Sequence, residues 1–364
     1  MTRVKTASVH IVRQYGTSGG MEKYVHSLTL ALARQGQPVT VLCERAQTLE
    51  SDAVAEGINV IELGQPVSRP RWLAQWVFSR RVARHVATND YSKAIIHSHE
   101  RTSVHQVTTF HGPPFAMRKR RLLDFLSPRI HMWNYLEKRE LVADQVQQIL
   151  PNSALIASYL KDLYPAAANK IAAPAHPGVD ANLINLKTEP RGLTIGFIGR
   201  EWHRKGLDIA CLILETIRQR LPDVKFMIAG CDVEETRSIF NHWPADSYRL
   251  MGWQDSTEPF LRQIDLLLHP ARAEPFGMVI AEANAAGIPV LISDKCGIAP
   301  LIGPQQGEVC SMDAGHTDIA AWADAAVTLL QSPQKIAPLD LSWDSLATQH
   351  CELYAKLLNS WQRP

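Results

Sequence analysis

Glu274 and Glu282 stand eight residues apart, separated by Pro275-Phe276-Gly277 and the apolar run Met278-Val279-Ile280-Ala281. On a helix that repeats every ~3.6 residues, this offset returns a side chain to nearly the same face two turns on. A helix opening near Phe276 puts Glu274 at its mouth and Glu282 further along that face. The N–H groups of Phe276, Gly277 and Met278 then point out of the helix N-terminus, a place for phosphate. One carboxylate for sugar hydroxyls, one for a ribose and amides for a diphosphate together suit a sugar nucleotide. The plainer reading, a solvated helix face, is opposed by the context. A strand-like run, Ile264 to His269, comes just before, and another, Ile288 to Ser293, follows. Strand, loop and helix N-terminus in that order is where open α/β sheets bind ligands.

Three further groups carry chemistry. In the stretch Gly196 to Gly206, Arg200 and Lys205 lie five apart across a loop, so both can converge on one anion. A planar fork and a point charge suit a diphosphate leaving group, with Arg204 a less suited substitute. The plainer alternative is a solvated basic loop. Gly19 and Gly20, between a strand and an amphipathic helix, let backbone approach a phosphate or sugar. Their loop departs from G-x-G-x-x-G, which disfavours a dinucleotide-dependent dehydrogenase. His111 ends a strand just before Gly112-Pro113-Pro114, and His97, His99, Glu100 and His105 compete with it for a role. These histidines lack a tight ligand spacing, so no metal site is expected. Residues 69–85 set Trp72, Trp76 and Phe78 among arginines, and residues 117–121 add a basic cluster. Cations on one face and aromatics on the other describe a helix lying at an anionic membrane surface. The alternative is that the aromatics pack inward. No nucleic-acid motif is present, and no nucleic-acid partner is expected.

The elements that must position these groups alternate strand and helix, twice over. A length of 364 residues, 46% hydrophobic and 20% charged, suggests two globular domains. No uninterrupted apolar run is long enough to span a bilayer. The start, Met1-Thr2-Arg3-Val4-Lys5, lacks a signal-peptide pattern. Six scattered cysteines without a C-x-x-C pair read as thiols in a reducing cytoplasm. Residues 1–180 carry 22 Lys+Arg against 14 Asp+Glu, and residues 181–364 carry 16 against 22. A basic half beside an acidic half suggests that they meet different partners. Strands are expected near 7–12, 38–43, 58–63, 93–98, 105–110 and 146–150. The second set is expected near 193–198, 224–229, 247–251, 264–269, 288–292 and 307–310. Helices are expected near 20–35, 71–88, 116–143, 153–163, 205–220, 256–262, 276–286, 316–331 and 342–360. Buried Val/Ile/Leu-rich strands between helices predict two parallel sheets covered on both faces. The turn-rich stretch at 177–192 reads as the linker.

Taken in order, Gly-Gly-Met-Glu (19–22), Phe-His-Gly (110–112), Pro-Gly-Val-Asp (177–180), Gly-Arg to Lys-Gly (199–206) and Glu-x-Phe-Gly to Glu (274–282) resemble the retaining glycosyltransferases of family 4. The resemblance covers nearly the whole chain. It implies an α/β fold of the GT-B type, with two Rossmann-like parallel-sheet domains facing a central cleft. An acceptor domain would span 1–180 and a nucleotide-sugar domain 190–340, with a final helix, 341–364, crossing back to the first. By resemblance, Gly19 and Gly20 would line the cleft beside the donor phosphates, and His111 would meet the donor sugar or the reacting centre. Arg200 and Lys205 would neutralise the departing diphosphate, and Glu274 would hold the transferred sugar. Phe276, Gly277 and Met278 would offer amides, Glu282 would bind ribose, and Gly252-Trp253 falls where the base is held. The chain differs from the family pattern at His176-Pro177-Gly178 and in the extra Trp202-His203. The implied reaction is metal-independent transfer of a sugar, without a cofactor, from a donor expected to be a UDP-sugar to a cell-envelope glycan or glycolipid. The lipopolysaccharide core is the first expectation for the acceptor, at the inner face of the cytoplasmic membrane. A nucleotide-sugar epimerase of the same fold, or a glycan-binding subunit without activity, are the alternatives.

Overall fold

A computed structural model describes residues 5–47, 56–118, 124–186, 192–313, 317–331 and 335–361. The chain forms two units, residues 1–178 with 342–364, and residues 179–341.

The first unit is built on strands β1 (Ala7–Ile11), β3 (Val39–Cys43), β5 (Asn59–Glu62), β6 (Ala94–Ser98), β7 (Val107–Phe110) and β8 (Gln148–Pro151). A two-residue pair, β2 (Gln14–Tyr15) with β4 (Arg45–Ala46), stands apart. The main sheet runs β5-β3-β1-β6-β7-β8, and each of its pairings is parallel. Val9 lies opposite Thr40 on one side and Ile96 on the other. Helices α1 (Gly20–Arg34), α2 (Arg71–Thr88), α3 (Pro128–Val142) and α4 (Ala154–Leu163) cover the sheet. The final helix, α8 (Trp343–Trp361), packs on α1, burying Leu346, Ala347 and Tyr354 with Leu28 and Leu32. Each leucine taken out of water in this way is worth about 1.5–3 kcal/mol. Gly178 lies against this helix's start, where a Cβ would sit 2.4 Å from the Trp343 nitrogen.

The second unit repeats the plan with β9 (Thr194–Ile198), β10 (Lys225–Ala229), β11 (Tyr248–Gly252), β12 (Leu266–His269), β13 (Val290–Ser293) and β14 (Gly307–Cys310). Their order, β11-β10-β9-β12-β13-β14, is again wholly parallel. Helix α5 (Leu207–Arg218) turns Leu207, Ala210, Ile213, Leu214 and Ile217 onto one side of the sheet, beside Trp322 and Ala326 of α7 (Ile319–Gln331). Helix α6 (Met278–Ala285) lies in the other core layer with Ile280, Ala281 and Ala283.

Both sheets have the doubly wound order in which the chain reverses direction beside its first strand. In the first unit the switch lies between β1 and β6, in the second between β9 and β12. In the second unit the loop carrying Arg200 and Lys205 follows β9, and Glu274 follows β12.

A proline and a glycine move two of the expected helix starts. The helix expected over 116–143 starts at Pro128, because proline fixes its own φ and disfavours helix in the residue before it. Single 3₁₀ turns, Phe115–Met117 and Asp124–Leu126, precede it. The helix expected from Phe276 begins at Met278, since Gly277 caps it in the left-handed region at φ 105°.

Candidate functional site

In the second unit the loop after β9 turns through the one-turn helix Trp202–Lys205 and ends at Gly206. Gly206 has φ 82°, and a Cβ there would stand 2.0 Å from the Pro270 carbonyl oxygen. This close approach seats the loop against the segment after β12. Gly199 serves the site in a second way. Its missing Cβ leaves the space through which the Lys205 side chain passes, with Lys205 Cδ 2.1 Å from where that Cβ would be. Lys205 Nζ thereby comes to 3.5 Å from Glu274 Oε2.

Glu274 is the hub. Its Oε2 also lies 3.4 Å from Arg204 Nη1 and 3.6 Å from Nε2 of His269, a residue buried at the end of β12. Burial alone would raise the Glu274 pKa. Lys205, His269 and Arg204 outweigh it and hold the carboxyl well below the usual carboxylate range, so it is ionised at neutral pH. The backbone is held too: Glu274 N–H donates to the Lys295 carbonyl at 3.1 Å, and Gly297 N–H donates to the Glu274 carbonyl at 2.8 Å. Arg272 clamps the same loop to α5 through a two-pronged contact with Asp208 at 2.8 and 2.6 Å.

The neighbouring arginines are used differently. Arg204 donates to Glu201 at 3.0 and 2.7 Å and to the Ala273 carbonyl, besides reaching Glu274. Its guanidinium is committed to the loop. Arg200, at the tip of that loop, is exposed and makes no ion pair among the described residues. Lys205 and Arg200 thus share one loop, the lysine laid against Glu274 and the arginine open to an anion. The first amides of α6 have no acceptor within the helix, and that helix starts four residues after Glu274.

Glu282 lies inside α6 and is 4% exposed, while Glu274 lies in the loop and not on the helix. The two carboxylates therefore belong to different elements. Phe276 is a core residue, 2% exposed, whose carbonyl accepts from Ile298 N–H at 2.9 Å. Gly252 ends β11 at φ 68°, and Trp253 just beyond it presents an indole that is 57% exposed. His269, Arg272 and Lys295 were not anticipated from the sequence. The one available signal was His269-Pro270, a polar residue and a strand stop at the end of an apolar run.

In the first unit Gly19 caps α1 and Gly20 opens it. The space above Gly19 is filled by the Glu22 carboxylate, 2.3 Å from a built Cβ. His111 follows β7, half-buried, with Tyr24 edge-on at 4.7 Å and its carbonyl accepting from Asn152 Nδ2 at 2.9 Å. His10, His97 and His99 lie behind it, fully or almost fully buried. One nitrogen from each falls within 4.8 Å of the others, a spacing that would admit a metal ion. Hydrogen bonds already use most of these nitrogens: His97 joins Tyr354 at 2.5 Å and Thr109 at 2.8 Å, and His99 joins His10 at 3.1 Å.

On α2, Phe78 is a core residue, while Trp72 and Trp76 are half-buried and Arg71, Arg80, Arg81 and Arg84 exposed. In the basic cluster 117–121, residues 119–121 lie outside the described residues. Beside it Met117, Phe125 and Leu126 are exposed by 43%, 67% and 66%. Among the described residues no helix is long and apolar enough to cross a membrane.

Comparison with known proteins agrees with this layout. Residues 18–183 match the family model Glycosyltransferase Family 4, and residues 192–332 match Glycosyl transferases group 1. The chain is 24% identical over 398 residues to a glycogen synthase of Mycobacterium tuberculosis, covering 95% of this chain and 93% of the relative. Among solved structures it is similar to WaaG, a glycosyltransferase involved in lipopolysaccharide biosynthesis, with TM-score 0.76, 16% identity and coverage of 98% and 100%. It is also similar to Anabaena HepE in complex with UDP and glucose, with TM-score 0.66, 16% identity and coverage of 99% and 100%.

Proposed function

We propose, for a chain that is a glycosyltransferase of the GT-B type, that its second unit holds a nucleoside diphosphate sugar and releases the diphosphate while the sugar passes to a glycan or glycolipid with its anomeric configuration retained. The observation that carries this reading is the loop after β9, which sets Lys205 against the ionised Glu274 and leaves Arg200 exposed, without an ion pair among the described residues.

As the bond between sugar and phosphate loosens, negative charge grows on the diphosphate oxygen. Arg200, Lys205 and the opening amides of α6 meet that charge with groups already in place. Preorganised donors of this sort are commonly the largest single contribution to catalysis. Glu274 takes the hydroxyls of the transferred sugar, its orientation held by Arg204 and by its backbone bonds to Lys295 and Gly297. Glu282 takes the ribose, and Trp253 offers its exposed face to the base. In the first unit, Gly19, Gly20 and His111 serve the donor phosphates and the reacting sugar. UDP is the favoured nucleotide, supported by the UDP-bound state of HepE.

The acceptor we favour is a lipopolysaccharide-core glycan presented at the inner face of the cytoplasmic membrane, on the likeness to WaaG and on the exposed Phe125 and Leu126 near a basic stretch. Growth of a glucan is the second reading, supported by the glycogen synthase relative. The test combines a panel of nucleoside diphosphate sugars with core oligosaccharide, glucan or no acceptor, and measures nucleoside diphosphate release. Acceptor-dependent release with one donor is expected. Sugar isomerisation without release would point instead to an epimerase, and neither change would leave a glycan-binding subunit.

A further inference from the structure

We propose that His99 is a positioning residue, part of a buried row of imidazoles ending at His10 that fixes His111 as its Nδ1–H tautomer and so makes it a hydrogen-bond donor to an oxygen of the sugar substrate. The substrate half of this statement rests on the proposed function, and the tautomer half does not.

His111 Nε2 lies 3.0 Å from His99 Nδ1, and His99 Nε2 lies 3.1 Å from His10 Nδ1. His111 Nδ1, at the open end, has no hydrogen-bond partner among the described residues. His10 Nε2, at the closed end, is buried and has no partner either. Tyr24 and the stacked ring of His97, 4.3 Å from His99 between centroids, hold the row in place. Burial favours the neutral form at every ring, with His10 and His111 pushed down to about 3 and His99 well below its usual value. Each neutral ring carries one N–H, and each nitrogen–nitrogen contact needs one proton. Only two arrangements satisfy both contacts. In one, every ring carries its proton on Nδ1, and His10 ends the row with a bare lone pair. In the other, every ring carries it on Nε2, and His10 ends with an N–H that nothing accepts. A buried orphaned donor is the rarer and costlier ending. The row therefore settles with protons on Nδ1, and His111 offers an N–H at the open end.

Histidine labelled with ¹⁵N in the full chain tests this directly, because protonated and bare ring nitrogens have separate shifts. At neutral pH the His111 signal should show a protonated Nδ1 and a bare Nε2. A protonated Nε2, or a shift averaged between the two forms, would overturn the proposal. In His99→Phe the His111 Nε2 loses its partner in the row, so the His111 signal should move toward an average and kcat should fall about three- to tenfold with less change in donor KM. An unmoved His111 tautomer in a folded His99→Phe chain would overturn the proposal. Should the variant not fold, the wild-type spectrum still decides. The expected tautomer in a chain that transfers no sugar would remove the proposed function and leave the row standing.

Discussion

At the residue scale, two arginines four apart on one loop have opposite prospects. Arg200 is exposed and makes no ion pair among the described residues, whereas Arg204 is tied to Glu201, the Ala273 carbonyl and Glu274. Replacing Arg200 with Ala should lower kcat/KM by about 100-fold, the usual cost of one transition-state donor, and leave Tm unchanged. Arg204→Ala should lower Tm as well, because a half-buried network loses its hydrogen bonds, about 1–2 kcal/mol in all. Equal Tm values for the two variants, measured by calorimetry, would contradict this division. With Arg200 and Lys205 supplying the positive charge, activity should also survive EDTA; a loss restored by Mg²⁺ or Mn²⁺ would count against the assignment. The residue types were legible before the fold was known, since two cations and a Glu-x-Phe-Gly segment are readable as an anion and sugar site. The partner of each was not. Lys205 rather than Arg200 meets Glu274 because the missing Cβ of Gly199 opens a path for the lysine alone, a contact made only by folding.

At the scale of elements, the site depends on two loops locked together. Gly206 needs both its positive φ and the absence of a Cβ against Pro270. Gly206→Ala should therefore destabilise the second unit by roughly 1–3 kcal/mol and misplace Lys205, so that stability and kcat/KM fall together. Urea unfolding beside a transfer assay checks this, and a variant with unchanged midpoint would refute it. Apolar runs such as Leu266 to Leu268 made the buried parallel strands easy to read, since a strand covered on both faces has no polar alternation. Helix starts were harder. Pro128 and Gly277 each moved a boundary, the first through its fixed φ and the second through a left-handed cap. The helical argument from the spacing of Glu274 and Glu282 holds for Glu282 alone. Glu274 gains its place from the loop after β13.

At the scale of the whole chain, stability should follow the histidines of the first unit. His10, His97, His99, His105, His111 and His350 are all held neutral by burial, with pKa values below the usual 6.5. The unfolded chain binds the more protons once pH falls below that value, so this stabilisation is complete above about 6.5 and is lost toward about 3. Glu100 and Glu140, pushed up to about 7 by burial, act with the opposite sign between 4.5 and 7. Six groups against two leave a net loss of stability as pH falls from 6.5 to 4.5, visible as a declining urea midpoint. A midpoint that rises over this range would show that these rings are not buried neutral.

A grip by cations of the second unit on the diphosphate of an activated sugar should be visible in titration calorimetry of the wild-type chain and Lys205→Ala with UDP-glucose, UDP-galactose, UDP-N-acetylglucosamine and their ADP and GDP counterparts. Saturable heat is expected from at least one of them with the wild type, weakened about tenfold or more in the folded variant. Binding of equal strength in both chains, or no heat from any sugar nucleotide with a folded wild type, would contradict it.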